Sequence, residues 1–129
     1  MSREDEVLKA AAELVRAFGT HDSDGYFACF SSDATFIFHS TPQALGSREA
    51  YQALWREWEA DGFQVLGCRS SDGRALVHGE VAAFTHRVET HLRVAGEEHQ
   101  LQERETIVFR REGGHWLAFH EHLSGVPAG

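Results

Sequence analysis

Apolar residues in the N-terminal half of the chain recur three or four positions apart, which places them on one face of a helix. The first series predicts an amphipathic helix that Ser2 can cap and that ends at Gly19. Its apolar positions are Val7, Leu8, Ala11, Leu14, Val15 and Phe18. Another helix is predicted to start at Ser47 and to stop at Asp61-Gly62. Its apolar face carries Tyr51, Leu54, Trp55 and Trp58.

The segment between these two helices predicts a short helix followed by a strand. A polar break at residues 21–24 offers two capping residues, and Tyr26, Phe27 and Phe30 form the apolar face of the short helix. The strand is expected to run from Thr35 to Ser40, because aromatic and branched residues dominate that stretch.

Helical spacing disappears after Phe63, and turn residues at 71–73, 95–96 and 113–114 divide the remainder into four strands. The stretch from Arg74 to Val94 is too long for one ordinary strand, so Gly79 is expected to mark a bulge or bend within it. Strands joined by short turns pair antiparallel, and three preceding helices can cover only one face of their sheet. The expected fold class is therefore α+β, with a curved sheet.

The last two predicted strands place carboxylates among apolar residues. Alternation puts one set of side chains on the same face of the first strand: Leu101, Glu103, Glu105, Ile107 and Phe109. In the second strand, alternation separates Leu117, Phe119, Glu121 and Leu123 from Trp116, Ala118, His120 and His122. A carboxylate in an apolar row either reaches water at an edge or points into a cavity. This choice decides whether the chain has an internal site.

Composition excludes several classes of partner. At 129 residues the chain fits a single domain, expected over residues 1–129, and its formal charge of −8 opposes binding to nucleic acid or to an anionic membrane. The acidic N-terminal segment lacks the apolar run of a signal peptide, and no stretch reaches the roughly 18 apolar residues of a membrane span. Cys29 and Cys68 are too few and too far apart for a disulfide framework or zinc module, so reduced thiols are expected. A cytoplasmic location follows.

Two segments carry a family resemblance: HDSDGYFACFSSDATF after the first helix, and GGHWLAFHEHLS near the end. They resemble the nuclear transport factor 2-like superfamily, in its SnoaL-like branch. The ending WLAFHEHLSGVPAG is also similar to the association domain of calcium/calmodulin-dependent kinase II. The resemblance implies a cone, in which a strongly curved, mixed, mainly antiparallel sheet wraps three N-terminal helices around a central pocket.

The active-site residues of these relatives do not carry over to this chain. Where ketosteroid isomerases have a Tyr, a base Asp and a second acid, this sequence has Leu14, Phe38 and Ile107. A pocket Arg of the kinase association domains also falls on Ile107, and a second one falls near His86. That isomerase chemistry requires a base beside an oxyanion donor, so we do not expect ketosteroid isomerisation.

Candidate acid/base residues are His86, Glu105 and Glu121. If Ile107 points inward, Glu105 does so too, and His86 lies on the matching face of the long strand with Phe84, Val88 and Thr90. Burial raises a carboxyl pKa and a nearby carboxylate keeps an imidazole basic, which suits general acid/base catalysis. The alternative is that Glu103 and Glu105 lie at a wet rim and that Arg or backbone groups satisfy Glu121.

The expected ligand is a small, flat, apolar molecule that carries a carbonyl or hydroxyl group. Candidate lining residues are Leu14, Tyr26, Phe38, Trp55, Trp58, Phe84, Ile107 and Phe119. Two functions remain open. The chain is either a cyclase, isomerase or dehydratase that needs no cofactor, or a non-catalytic module that binds a ligand or oligomerises as the kinase association domain does.

The opposite sheet face, predicted to carry Trp116, His120 and His122, is expected to form a homodimer interface. It is too aromatic for a solvated sheet surface, while the helices occupy the other side. An HxH pair on one side of a strand also suggests a metal, but the sequence assures no third ligand, so no metal site is predicted.

Overall fold

The computed structural model describes residues 1–127, so the last two residues of the predicted 1–129 domain lie outside the described part. Three helices, α1 (Arg3–Gly19), α2 (Ser23–Ala28) and α3 (Arg48–Ala60), contribute to the fold. Five strands complete it: β1 (Phe30–Phe38), β2 (Gln64–His78), β3 (Val81–Val94), β4 (Glu97–Glu112) and β5 (His115–Gly125). Helices followed by a mixed sheet confirm the predicted α+β class.

The helix starts follow from capping chemistry. The Ser2 side chain accepts a hydrogen bond from the Asp5 backbone N–H, and the Asp5 side chain accepts one from the Ser2 backbone, which closes a capping box. Ser47 caps α3 in the same way through the Ala50 backbone N–H. Sequence reasoning therefore located the starts of both long helices.

The strands form one sheet in the order β1-β5-β4-β3-β2. The hairpin-linked strands β2 to β5 pair antiparallel, whereas β1 pairs parallel with β5. The parallel pair is possible because α3 and the long β2–β4 region separate β1 from β5 in the chain. It brings Phe36 opposite Glu121, so the early strand helps to build the site.

Two predicted boundaries near β1 and β2 are wrong. Phe30 belongs to β1 and not to the short helix, because α2 ends at Ala28. The predicted turn at residues 71–73 is a register shift inside β2, and Gly79, predicted to be a bulge, lies at the turn between β2 and β3. Both sites contain a residue with positive φ, Asp72 in the first and Gly79 in the second. Turn-forming residues therefore mark an irregularity in the sequence, but they do not distinguish a bulge from a turn.

A bulge in β5 overturns part of the predicted face assignment. Phe109 pairs with Ala118 while the preceding Val108 pairs with His120, so Phe119 is an extra residue in β5. Simple alternation therefore fails across the bulge. Trp116, predicted on the outer face, is buried on the inner face and donates a hydrogen bond from Nε1 to Glu6 Oε1 at 2.9 Å.

The core lies between the helices and the inner face of the sheet. Aromatic rings from α2, α3 and β1 form its centre, in edge-to-face and tilted contacts among Tyr26, Phe27, Phe30, Phe36, Tyr51 and Trp55. Within the described chain, no helix has the length and apolar character needed to cross a membrane.

Candidate functional site

An apolar cavity of about 340 Å³ lies between the three helices and the inner sheet face. Its size falls at the lower end of small-molecule sites. Aromatic side chains form much of its wall: Phe18, Tyr26, Phe38, Tyr51, Trp58 and Phe63. Three carboxyl groups, those of Glu103, Glu105 and Glu121, also line it.

The structure brings half of the predicted apolar lining into this cavity, namely Leu14, Tyr26, Phe38 and Trp58. Trp55 and Ile107 are instead packed in the core, because their side chains fill the space between α3, α2 and the sheet. Phe84 lines a separate groove against α1, together with Leu8 and Ser70. Trp55, Ile107 and Phe84 were predicted to line the cavity, but they instead pack behind its walls.

Phe119 is not in the cavity either. Phe119 is the extra residue of the bulge in β5, and its ring packs against Arg110. The Arg110 guanidinium lies 5.1 Å from the centroid of the ring. The same bulge keeps Glu121 on the inner face opposite Ile107. Had strict alternation continued from Trp116, Glu121 would have pointed to the outer face.

The predicted acid/base residues do converge. Glu121 is 2% exposed and Glu103 is 5% exposed, so the wet-rim alternative for Glu103 is wrong. Among the described residues no Arg or Lys lines the cavity, which means that no fixed cation neutralises Glu121. His86 is buried on the same inner face, where it is the cross-strand partner of Glu105.

Hydrogen bonds reach the carboxyl pair from both sides of the site. The Tyr26 hydroxyl lies 2.9 Å from the Tyr51 hydroxyl and donates to Glu121 Oε1 at 3.4 Å. On the other side of the carboxyl pair, His86 Nε2 lies 2.7 Å from Glu105 Oε1. His86 Nδ1 lies 2.6 Å from Ser70 Oγ, which is at the protein surface.

Burial sets the protonation of the carboxyl pair. It is the main cause that raises the pKa of Glu121 well above its usual range, and the negative charge of Glu105 adds to the effect. Burial also raises the pKa of Glu105, while a hydrogen bond with Glu121 opposes that rise. We assign the shared proton to Glu121, which then donates to a Glu105 carboxylate.

His86 differs from the expectation that a carboxylate would keep it basic. Its contact with Glu105 has ion-pair geometry, but burial lowers the pKa of His86 to about 4. The desolvation of the imidazolium outweighs the attraction of the carboxylates. Neutral His86 then donates from Nε2 to Glu105 and accepts at Nδ1 from the Ser70 hydroxyl.

Sequence reasoning missed two polar residues at the site. Helical spacing places Tyr51 on the apolar face of α3 and indicates no polar role for it. In the structure its hydroxyl is hydrogen-bonded to the Tyr26 hydroxyl at the cavity wall. His39 Nε2 lies 2.5 Å from Glu103 Oε2, and its ring is partly exposed. Strand alternation would place the His39 side chain on the face opposite to Phe38. Because β1 ends at Phe38, alternation does not apply to His39, and both side chains line the cavity.

The arrangement suits proton transfer better than metal binding. Within residues 1–127, no group of three or more His, Cys, Asp or Glu side chains is placed to hold a metal ion. The site instead offers a protonated carboxyl, a neighbouring carboxylate and a neutral imidazole within an apolar enclosure. A pair of carboxyls driven to different protonation states is typical of acid/base sites.

The fold is that of nuclear transport factor 2-like proteins. An NTF2-like protein from Cytophaga hutchinsonii superposes with a TM-score of 0.83 at 15% identity, over 98% of this chain and 100% of that one. A ketosteroid isomerase-like protein from Erwinia carotovora atroseptica gives 0.81 at 13% identity, covering 98% of both chains. A CamKII hub homology domain from Chlamydomonas reinhardtii gives 0.77 at 21% identity, over 98% and 100%.

The chain belongs to the SnoaL-like domain family, whose sequence model matches residues 7–129. This confirms the family resemblance read from the sequence. No curated protein sequence matches the chain. The structural relatives are less than 25% identical to it, so they establish the fold and leave the chemistry to the site itself.

Proposed function

We propose that this SnoaL-like protein is a cofactor-independent cyclase, isomerase or dehydratase that acts on a small apolar molecule bearing a carbonyl or hydroxyl group. The observation that carries the proposal is the pair of carboxyls of Glu121 and Glu105 in an apolar cavity, with Tyr26 hydrogen-bonded to Glu121 and His86 hydrogen-bonded to Glu105. A buried carboxyl pair without a neutralising Arg costs stability, and such costs concentrate at functional sites.

The proposed chemistry is proton transfer next to a carbonyl group. The Glu105 carboxylate removes the proton from the carbon beside the carbonyl, and protonated Glu121 gives its proton to the oxygen as negative charge develops there. The result is a neutral enol. Reversal of the two transfers at the same carbon completes a hydrogen exchange. If the enol is conjugated to a double bond, protonation of its far carbon by Glu105 and return of the hydroxyl proton to Glu121 give an isomerisation.

His86 and the tyrosines position the reacting groups. The His86 Nε2–H holds the Glu105 carboxylate in orientation, and Ser70 fixes the imidazole tautomer by donating to Nδ1. Tyr51 donates to Tyr26, which frees the Tyr26 hydroxyl to donate to Glu121. Leu14 and Phe38, which stand where a ketosteroid isomerase has its Tyr and Asp, are cavity walls and cannot transfer a proton.

Hydrogen exchange of a simple ketone tests this proposal. We expect the wild-type protein to accelerate deuterium incorporation beside the carbonyl of 2-tetralone in D2O, followed by proton NMR. Glu105→Gln and Glu121→Gln should each lower the protein-catalysed rate by about 10²- to 10⁴-fold. Glu89→Gln is the matched control, because Glu89 pairs with Arg69 away from the cavity. Equal rates in all four proteins, or none above buffer, would overturn the proposal.

A second candidate is a non-catalytic module that binds a ligand or self-associates. The outer sheet face favours it, because Ile37 in the edge strand β1 is 41% exposed on that face, beside His122. The likeness to a kinase hub homology domain covers nearly the whole chain. The candidate interface is a homodimer contact through this convex face, now without Trp116, and the oligomeric state of Ile37→Asp tests it.

A further inference from the structure

The ionisable groups that face the cavity are almost all acidic. Glu103, Glu105 and Glu121 line it, no Arg or Lys among the described residues does, and His39 at the mouth is the single basic side chain there. Asp61 adds another carboxyl among the lining residues. An anionic ligand would lose its hydration and gain no cation to pair with. The cavity therefore disfavours carboxylates and phosphates.

The aromatic wall is a second and independent feature. Tyr51 and Trp58 contact each other with ring centroids 6.1 Å apart, and Trp58 contacts Phe63 at 5.4 Å. Phe38 contacts Tyr51 on the opposite side at 5.0 Å. The rings of Tyr51, Trp58 and Phe63 all line the cavity. Aromatic faces attract organic cations, and desolvation strengthens that attraction.

The buried carboxyls keep unused hydrogen-bond capacity. A carboxylate can accept about four hydrogen bonds. Glu121, which is 98% removed from solvent, receives one from a protein O–H or N–H, and that bond from Tyr26 is long at 3.4 Å. Glu105 receives one from His86 and one from protonated Glu121, and Glu103 receives one from His39. Since these carboxyls line the cavity, a ligand with several N–H donors can satisfy them.

We propose that the molecule bound in this cavity carries a protonated amine as well as its oxygen function. The ammonium group lies beside the Glu103 carboxylate and leaves Glu105 as the base. Glu103 and Glu105 are two residues apart on one face of β4 and so about 7 Å apart. Its hydrocarbon part lies against Tyr51, Trp58 and Phe63. This inference rests on the proposed function, because it uses the same cavity and leaves Glu121 for the oxygen.

Three ligands with the same ring system test the inference. Naphthalen-1-ylmethylamine is a cation at pH 7.5, 1-naphthalenemethanol is neutral, and 1-naphthoate is an anion. By calorimetry or fluorescence titration of the wild-type protein, we expect the amine to bind at least tenfold more tightly than the alcohol, and the naphthoate more weakly than both. Equal affinities for amine and alcohol, or tighter binding of naphthoate, would overturn it.

Substitutions locate the ammonium group. Glu103→Gln should weaken amine binding at least tenfold and change alcohol binding by less than twofold, whereas Glu89→Gln should change neither. If Glu103→Gln fails to fold, the wild-type comparison of the three ligands still decides. An equal loss for amine and alcohol in a folded Glu103→Gln protein would count against the ammonium position.

The outcomes separate this inference from the proposed function. Exchange of 2-tetralone without preference for the amine would leave the proposed function in place and remove the inference. Preference for the amine without ketone exchange would support the ligand class and remove the catalytic proposal. Failure of 2-tetralone and all three naphthalene ligands to bind would overturn both.

Discussion

At the scale of single residues, the feature with the largest consequence is Glu121. Its carboxyl is buried beside Tyr26 and Glu105, and no Arg or Lys among the described residues compensates for it at the cavity wall. Burial therefore raises its pKa well above the usual range. Folding keeps a proton on this group that the unfolded chain releases.

Stability should consequently depend on pH through Glu121. A raised carboxyl pKa means that the folded state binds more protons than the unfolded state above the ordinary value of 4.5, so stability falls as pH rises. The lowered pKa of His86 acts in the opposite direction, but only between about 4 and 6.5. Above pH 6.5 the His86 contribution no longer changes with pH, so the contribution of Glu121 can be measured without it.

We expect the free energy of unfolding, measured in urea, to fall between pH 6.5 and 8.5 in the wild type. The limit for one proton is about 1.4 kcal/mol per pH unit. Glu121→Gln should flatten this slope, because an amide has no proton to release. Glu89→Gln should keep the wild-type slope. The same slope in wild type and Glu121→Gln would show that Glu121 is ionised when buried.

The residue scale also shows what alternation can find. Glu105 and His86 were located from the sequence because they lie on regular, uninterrupted stretches of β4 and β3 that pair with each other. Glu121 was located although its strand contains a bulge, since the bulge lies before it and it aligns with Ile107. Tyr51 and His39 were not found, because their roles depend on distant groups that face them.

At the scale of elements, irregularities decide which side chains enter the site. One extra residue at Phe119 moves Trp116 and Ala118 to the inner face while Glu121 remains there. The turn at Gly79 separates β2 from β3 and sets the pairing of Phe84 with Ala75, whereas the turn at residues 95–96 sets the pairing of Phe84 with Ile107. Bulges and turns thus control the contents of the cavity from outside it.

The Gly79 turn can be tested by substitution. Gly79 has φ of +62°, and nothing lies within 4 Å of an added Cβ, so Gly79→Ala isolates the cost of a left-handed backbone. We expect a loss of about 1–2 kcal/mol in the free energy of unfolding. The control is Gly67→Ala in β2, which also has open space and no positive φ. It should be neutral or slightly stabilising. Equal losses would point to sheet packing instead of the turn conformation.

At the scale of the whole molecule, the helices cover one face of the sheet and leave the other open. Ile37, Thr35, His120 and His122 share that open face, because Phe36 and Glu121 point the opposite way. An exposed apolar residue such as Ile37 is buried when two such faces associate. The proposed dimer therefore depends on tertiary pairing of β1 with β5.

Light scattering at tens of micromolar protein should show a dimer for the wild type. Ile37→Asp should give a monomer, because it would bury a carboxylate in the contact. Lys9→Glu is the control, since Lys9 is exposed on α1, on the side of the sheet that the helices cover. It should remain dimeric. A monomeric wild type, or dissociation by both substitutions to the same extent, would contradict the assigned interface.

Local patterns determined much of this protein. Helical spacing with Ser2 and Ser47 caps located the long helices, and alternation with the turns at 95–96 and 113–114 located β4 and β5. These properties depend on neighbours within a few positions, so the sequence displays them directly. Alternation likewise placed Glu103, Glu105 and His86 on one face.

Only the tertiary structure decided how these elements meet. The parallel pairing of β1 with β5, the bulge at Phe119 and the packing of Trp55 and Ile107 in the core involve residues far apart in the chain. The same holds for the protonation of Glu121 and His86, because desolvation arises from all the surrounding elements together. Residue order specifies which groups can titrate, whereas packing fixes their pKa values and therefore the chemistry of the site.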